Sequence, residues 1–105
     1  MREKRQHHRA VLRVPAVVSS TDGETWHATS EDISVGGMFF SATSVPGIGL
    51  EVTVALELPV LGAVELPAFV RWVKAGGYGV QFGLLGARET HAIGKLVRGG
   101  SHAGT

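Results

Sequence analysis

The sequence predicts a mainly β fold: a small antiparallel barrel of six or seven strands with one C-terminal α-helix. Three observations carry this. Apolar and polar residues alternate at period two in several short runs, separated by turns rich in Gly, Pro and Asp. The cleanest run is 50–58, where Leu50, Val52, Val54, Leu56 and Leu58 face one way and Glu51, Thr53, Ala55 and Glu57 the other. One buried and one wet face marks an antiparallel sheet or a barrel wall. The period changes once, after Gly83, to helical spacing. Finally, a chain of 105 residues makes one domain, and at this size folding buries somewhat over about 60% of the unfolded surface, enough for a single core.

Taken in order, residues 1–9 lack apolar periodicity and read as a flexible basic lead-in. Residues 10–19 read as the first strand, with Leu12, Val14, Ala16 and Val18 on one face. Pro15 cannot donate to a ladder, so it belongs at an edge or a bend. Residues 19–24 turn the chain at Asp22-Gly23, and 25–31 return as a strand with Trp26, Ala28 and Ser30 alternating against His27, Thr29 and Glu31. A loop at 32–37 leads to the strand Met38–Ser41. Residues 42–49 connect to the run 50–58, and Pro59-Val60-Leu61-Gly62 turns it. The strand 63–74 places Leu66, Ala68, Val70 and Trp72 on one side; Ala75-Gly76-Gly77 turns into Tyr78–Phe82. Leu84 to Val97 is the helix, and 99–105 is expected as a disordered tail, leaving 10–98 as the folded unit. Trp26 and Trp72 are both expected to fill the barrel, with a wall of a ligand pocket as the alternative for Trp72.

Composition excludes several classes. There is no cysteine, so disulfides and Cys-based metal sites are out, and a cytoplasmic location is expected. No apolar run approaches the roughly 20 residues of a membrane span. The net charge of +1 is too small for a general polyanion binder, but its distribution is uneven. Arg2, Lys4, Arg5, Arg9 and Arg13 make up half of all Lys and Arg in the chain. Such concentration favours a local anion site.

Two stretches carry chemistry. In the loop Asp32-Ile33-Ser34-Val35-Gly36-Gly37, Asp32 offers acceptor oxygens, Ser34 a hydroxyl, and the two glycines a close approach to the backbone. That set suits a ligand edge rich in N–H donors, such as that of guanine. The plainer alternative is a tight turn whose polar side chains bond their own backbone. In the N-terminal stretch, Arg5 and Arg9 stand four residues apart. The arginine fork grips phosphate bidentately, addresses guanine O6 and N7, and stacks on a base. The plainer alternative is a solvated tail.

Together, Arg5-x-x-x-Arg9 followed by Asp32-x-Ser34-x-x-Gly37 resembles the PilZ domain, a family that binds the bacterial second messenger cyclic di-GMP. The strand around Val14-Pro15 and the closing Gly79-Val80-Gln81-Phe82 are similar to the family's pattern, so the resemblance covers roughly residues 4–97. It implies a non-enzymatic receptor. Arg5 and Arg9 would contact phosphate and guanine, Asp32 would accept from guanine N–H groups, Ser34 would add a bond, and Gly37 would permit close approach. Lys4, Gly36 and Trp72 are additional candidates. In PilZ-like proteins an arginine just before the motif is associated with a stacked ligand pair; here Lys4 keeps the charge without the planar surface, which leaves stoichiometry open. Arg9-x-x-x-Arg13 is a second register; Arg5/Arg9 is preferred because Arg13 falls inside the strand pattern. The resemblance also implies a partner protein in motility, pilus or exopolysaccharide control. The alternative within it is an interaction adaptor that does not bind the nucleotide.

Other constellations are set aside. The five histidines fall without metal-ligand spacing, so no metal or cofactor is expected. No nucleophile elbow or P-loop is present. The strands carry only Arg13, Arg71 and Lys74 as cations, too few for a single-stranded nucleic-acid groove, so no nucleic-acid partner is expected. No membrane insertion is expected either, and the chain is expected as a monomer or weak dimer.

Overall fold

The computed structural model describes residues 9–103. Seven strands and one helix follow in order: β1 (Ala10–Val11), β2 (Pro15–Ser20), β3 (Thr25–Ile33), β4 (Gly37–Ser41), β5 (Glu51–Leu58), β6 (Gly62–Lys74), β7 (Gly77–Phe82) and α1 (Ala87–Ala103). All pairings are antiparallel. The order β3-β2-β5-β6-β7-β4 closes through a β3–β4 pairing into a six-stranded barrel, and β1 adds to the end of β3. Closure leaves no free edge within the ring. The expected barrel with a C-terminal helix is therefore what the chain forms.

The alternating runs explain the walls. In β5, Val52, Val54, Leu56 and Leu58 are buried while Glu51, Thr53 and Glu57 are exposed. In β6, Val64, Leu66, Ala68 and Val70 point inward. Ile93 and Val97 of α1 join the same core.

Three stretches and one side chain differ from the sequence reading, each for a local reason. The run 10–19 is two strands. Pro15 has no N–H to donate and biases Val14 away from a regular turn, and the chain kinks across Leu12–Val14. The buried Ser30 hydroxyl holds the kink, donating to the Leu12 carbonyl and accepting from the Val14 N–H at 3.0 Å. Next, β3 runs on through Asp32 and Ile33, because Ile33 is fully buried and pairs with both Ala10 and Met38. The loop shrinks accordingly to Ser34–Gly36. Third, α1 starts at Ala87: Leu84 is 95% exposed, and the first helical bond runs from the Thr90 N–H to the Gly86 carbonyl at 3.0 Å. The helix then continues past Val97, its last core contact among the described residues, through part of the expected tail to Ala103.

The fourth difference is Trp72, which does not fill the barrel and is 58% exposed. The β6–β7 register shifts between Val70 and Trp72, so Arg71 is an extra residue. A one-residue bulge reverses the side on which every following residue points. Trp26 stays on the inner face, half-buried opposite Val18.

One inner group is poorly served. Tyr78 is fully buried, its ring 5.2 Å from that of Phe40, and its hydroxyl has no hydrogen-bond partner among the described residues. Burial pushes its phenol up to about 12. An unpaired buried group costs about 1–3 kcal/mol. Tyr78→Phe should therefore raise stability at pH 7 by up to that amount, read as the denaturant midpoint. The raised value also sets an alkaline limb. The folded protein keeps the proton longer than the unfolded chain, so the contribution is intact below about pH 10 and is lost as pH rises from there through about 12. Tyr78→Phe should flatten that loss.

Candidate functional site

The candidate site lies on the outside of the barrel, where β3, β4, β7 and β6 run side by side. Cross-strand register aligns a row over it. Val11 stands opposite Asp32, Asp32 opposite Phe39, Phe39 opposite Gly79, and Gly79 opposite Trp72. Partners in an antiparallel pair project to the same side. Met38 and Phe40 are buried inward, so Phe39 faces out; Tyr78 and Val80 are buried inward, so the bare side of Gly79 faces out. Asp32 and Trp72 join this face through bulges. Trp26, Ala28 and Ser30 set an inward phase in β3, and the extra residue at Glu31 reverses it, turning Asp32 out and Ile33 in.

Gly79 lets the aromatic rings lie flat on the sheet. A Cβ there would sit 2.6 Å from Trp72 Cε3 and 3.2 Å from Phe39 Cδ1. Lys74 Nζ lies 4.5 Å from the centroid of the Phe39 ring, close enough for a cation–π contact. The face thus combines an aromatic floor, an ammonium and a carboxylate.

Arg9 closes the near end. Its Nη1 donates to Asp32 Oδ1 at 3.2 Å, and β1 holds it there by pairing Ala10 with Ile33 and Val11 with Asp32. Both side chains are about a third or more exposed, at 41% and 31%, so the pair is worth about 0.2–1 kcal/mol. Arg13, expected inside a strand, lies instead in the kink between β1 and β2, where its exposed side chain pairs with the bulge residue Glu31 at 3.3 Å. The structure thus brings Arg9, Asp32 and Trp72 to one face. Lys4 and Arg5 lie outside the described residues.

Ser34, Gly36 and Gly37 sit at the end of this face, engaged within the fold. Ser34 is buried; its N–H donates to the Gly37 carbonyl at 2.8 Å, and its hydroxyl accepts from the Gly36 N–H at 3.2 Å. The Gly36 carbonyl accepts from the Phe82 N–H at 2.8 Å, which anchors the turn to β7. At Gly37 a Cβ would fall 2.1 Å from the Val80 carbonyl oxygen, so the close approach that glycine permits here is that of a neighbouring strand. The sequence reading missed Phe39, Lys74 and Gly79. A signal existed for Phe39: a large aromatic between inward Met38 and Phe40 must face water. Among the described residues no group of three or more His, Cys, Asp or Glu is placed to hold a metal ion, and no helix is long and apolar enough to cross a membrane.

The PilZ domain model matches residues 3–99. The chain belongs to the PilZ domain family. The solved PilZ structures agree in fold. The PilZ domain of CeSA from a cellulose-synthesizing bacterium superposes with a TM-score of 0.69 at 22% identity, covering 88% of this chain and 96% of that one. The PilZ domain of YcgR from Escherichia coli, solved with c-di-GMP, gives 0.78 at 10% identity, covering 97% and 95%. MotI/DgrA of Bacillus subtilis, an inhibitor of motility, gives 0.78 at 17% identity, and this chain spans about half of it (96% and 53% covered). No curated protein matches the chain in sequence.

The packing at Gly37 generates a test that needs no ligand. Gly37→Ala forces a methyl against the β7 backbone and should destabilise the free PilZ domain by about 1–3 kcal/mol, seen as a lower thermal midpoint.

Proposed function

We propose that this PilZ domain is a cyclic di-GMP receptor whose ligand lies across the Asp32–Phe39–Gly79–Trp72 row. The observation that carries the reading is that row itself: a carboxylate, an aromatic floor on bare glycine, and cations at both ends. Cyclic di-GMP is a dianion with two planar guanines, so it asks for these groups together. Asp32 accepts from guanine N1–H and N2–H₂. Trp72 and Phe39 offer a surface on which a base stacks, and Lys74 and Arg9 balance the phosphates. Arg5, outside the described residues, completes the arginine fork with Arg9. Ser34 acts by holding the turn that ends β3, and Gly37 by letting β4 meet β7. The family membership and the c-di-GMP complex of the YcgR PilZ domain support the choice of ligand.

The energetics favour exchange. The ligand replaces an exposed ion pair worth at most about 1 kcal/mol with charge-assisted bonds of about 1.5–3 kcal/mol each. Both partners stay satisfied: Arg9 trades a carboxylate for a phosphate, and Asp32 trades a guanidinium for a guanine edge. No covalent step is involved. The output is a change around the N-terminal segment and β1 that a partner protein in motility, pilus or exopolysaccharide control reads.

Calorimetric titration tests this. Wild-type protein should bind cyclic di-GMP, and Arg5→Ala, Arg9→Ala and Asp32→Ala should each lose about ten- to a hundredfold in affinity. Trp72→Ala should lose about tenfold through lost stacking. Arg13→Ala should bind nearly as the wild type does; loss there with Arg5→Ala unaffected would move the clamp to Arg9 and Arg13. Absence of heat and of thermal stabilisation at high ligand concentration would sink the receptor reading.

A further inference from the structure

At the other end of β6, away from Trp72, lies a feature that nucleotide binding does not use. Pro59-Val60-Leu61 joins β5 to β6. Val60 holds φ at 77°, the left-handed region that a β-branched residue ordinarily avoids, and it is 97% exposed. Nothing in the fold packs on this side chain, so core packing does not explain it. Strained backbone of this kind clusters at binding sites.

Beside the turn, one flank of α1 completes a groove of about 470 Å³. Its apolar lining is Pro59, Val60, Leu61, Ala92 and Leu96, of which Leu61, Ala92 and Leu96 are half-buried and form the floor. Its rim is Arg88, His91 and Lys95, which recur at helical spacing along the same flank. No carboxylate lines the groove, and neither Arg88 nor Lys95 pairs with one among the described residues.

An apolar floor under a rim of one sign is complementary to an acidic segment that carries apolar side chains. We propose that this groove docks such a segment of a partner protein, with leucine-sized side chains on the floor and carboxylates against Arg88 and Lys95. A second copy of this chain offers no equivalent. Its one adjacent acidic pair among the described residues, Glu31-Asp32, is held by Arg13 and Arg9, and its other acids are spaced singly. The surface is separate from the nucleotide face: Gly62 and Trp72 are ten residues apart along β6, roughly 30 Å of strand. The proposal therefore stands whether or not cyclic di-GMP binds.

The test is an amide chemical-shift titration of the full chain, without nucleotide. The probe is a synthetic amphipathic peptide of Glu and Leu, set beside a twin carrying Lys for every Glu. The acidic peptide should move the amides of Val60, Leu61, Ala92 and Leu96, and its affinity should fall as salt rises. Arg88→Glu/Lys95→Glu should weaken it roughly tenfold or more. Val60→Gly relieves the left-handed backbone, so it should keep or raise the thermal midpoint while weakening the peptide, which separates docking from folding. Equal binding of the lysine peptide, shifts only elsewhere, or no shifts would overturn the proposal. So would phosphatidylglycerol vesicles moving these amides when the peptide does not, or concentration-dependent dimerisation that covers the groove. A separate titration with cyclic di-GMP reads the nucleotide site, so failure of one leaves the other decided on its own.

Discussion

Strict alternation along β3 would carry Asp32 into the barrel behind Trp26, Ala28 and Ser30, and strict alternation along β6 would carry Trp72 in behind Leu66, Ala68 and Val70. One extra residue in each strand, Glu31 and Arg71, reverses the phase. The site depends on these two bulges. A buried unpaired carboxylate would cost several kcal/mol, and Ile33 would be left in water. With the bulges, Ile33 closes the core while Asp32 and Trp72 come to the surface in one row, with Phe39 and Gly79 between them. The residues between can then be small or flat. Gly79 and Gly77 leave a bare lane in β7 on which the rings lie, and at Gly77 a Cβ would meet the Phe40 carbonyl at 2.2 Å. The same glycines serve strand packing and the aromatic floor.

The N-terminal side is built on a second constraint, the Ser30 hydroxyl. It bonds across the kink between β1 and β2, taking the Leu12 carbonyl and the Val14 N–H that the broken ladder leaves over. The kink lets β1 lie along Asp32 and Ile33 while β2 goes on to pair with β5. Without it the chain would continue straight as one strand, and Arg9 would not arrive beside Asp32. A buried serine of no chemical role thus fixes where the first described cation stands.

How much of this was legible in the sequence follows from which signals are local. The barrel, its walls and the helix could be read because period-two alternation is a property of each strand alone. The motif residues Arg9 and Asp32 could be picked out as ligand candidates, since arginine and carboxylate chemistry is the same wherever the chain places them; that they stand side by side could not. What could not be read is phase. Trp72 looked inward because nothing in Val70-Arg71-Trp72-Val73 marks Arg71 as extra; the bulge exists through pairing with Gly79 and Val80. The extension of β3 through Asp32 and Ile33 was hidden for the same reason, since it rests on partners in β1 and β4. Ser34 was legible in its plainer reading, a hydroxyl turned back on its own turn at Gly36 and Gly37; Gly37 was visible as special but not for what it touches, since a missing Cβ opposite Val80 is a contact between segments.

The helix and the proposed nucleotide face meet through β1. Among the strands, α1 packs chiefly on β1. β1 is two residues long, is held on one side by β3, and directly follows Arg9. A short strand with few ladder bonds belongs to the least stable part of a fold, whereas the six-stranded ring around it is closed and buried. The proposed ligand exchange at the exposed Arg9–Asp32 pair would therefore act next to the shortest strand, and α1 rests on that strand. α1 thus touches both β1, on which it packs, and the Pro59–Leu61 turn, which belongs to the β5–β6 hairpin. On the two proposals together, a displacement of β1 by the nucleotide would reach the groove through α1, whose flank carries the rim cations Arg88 and Lys95.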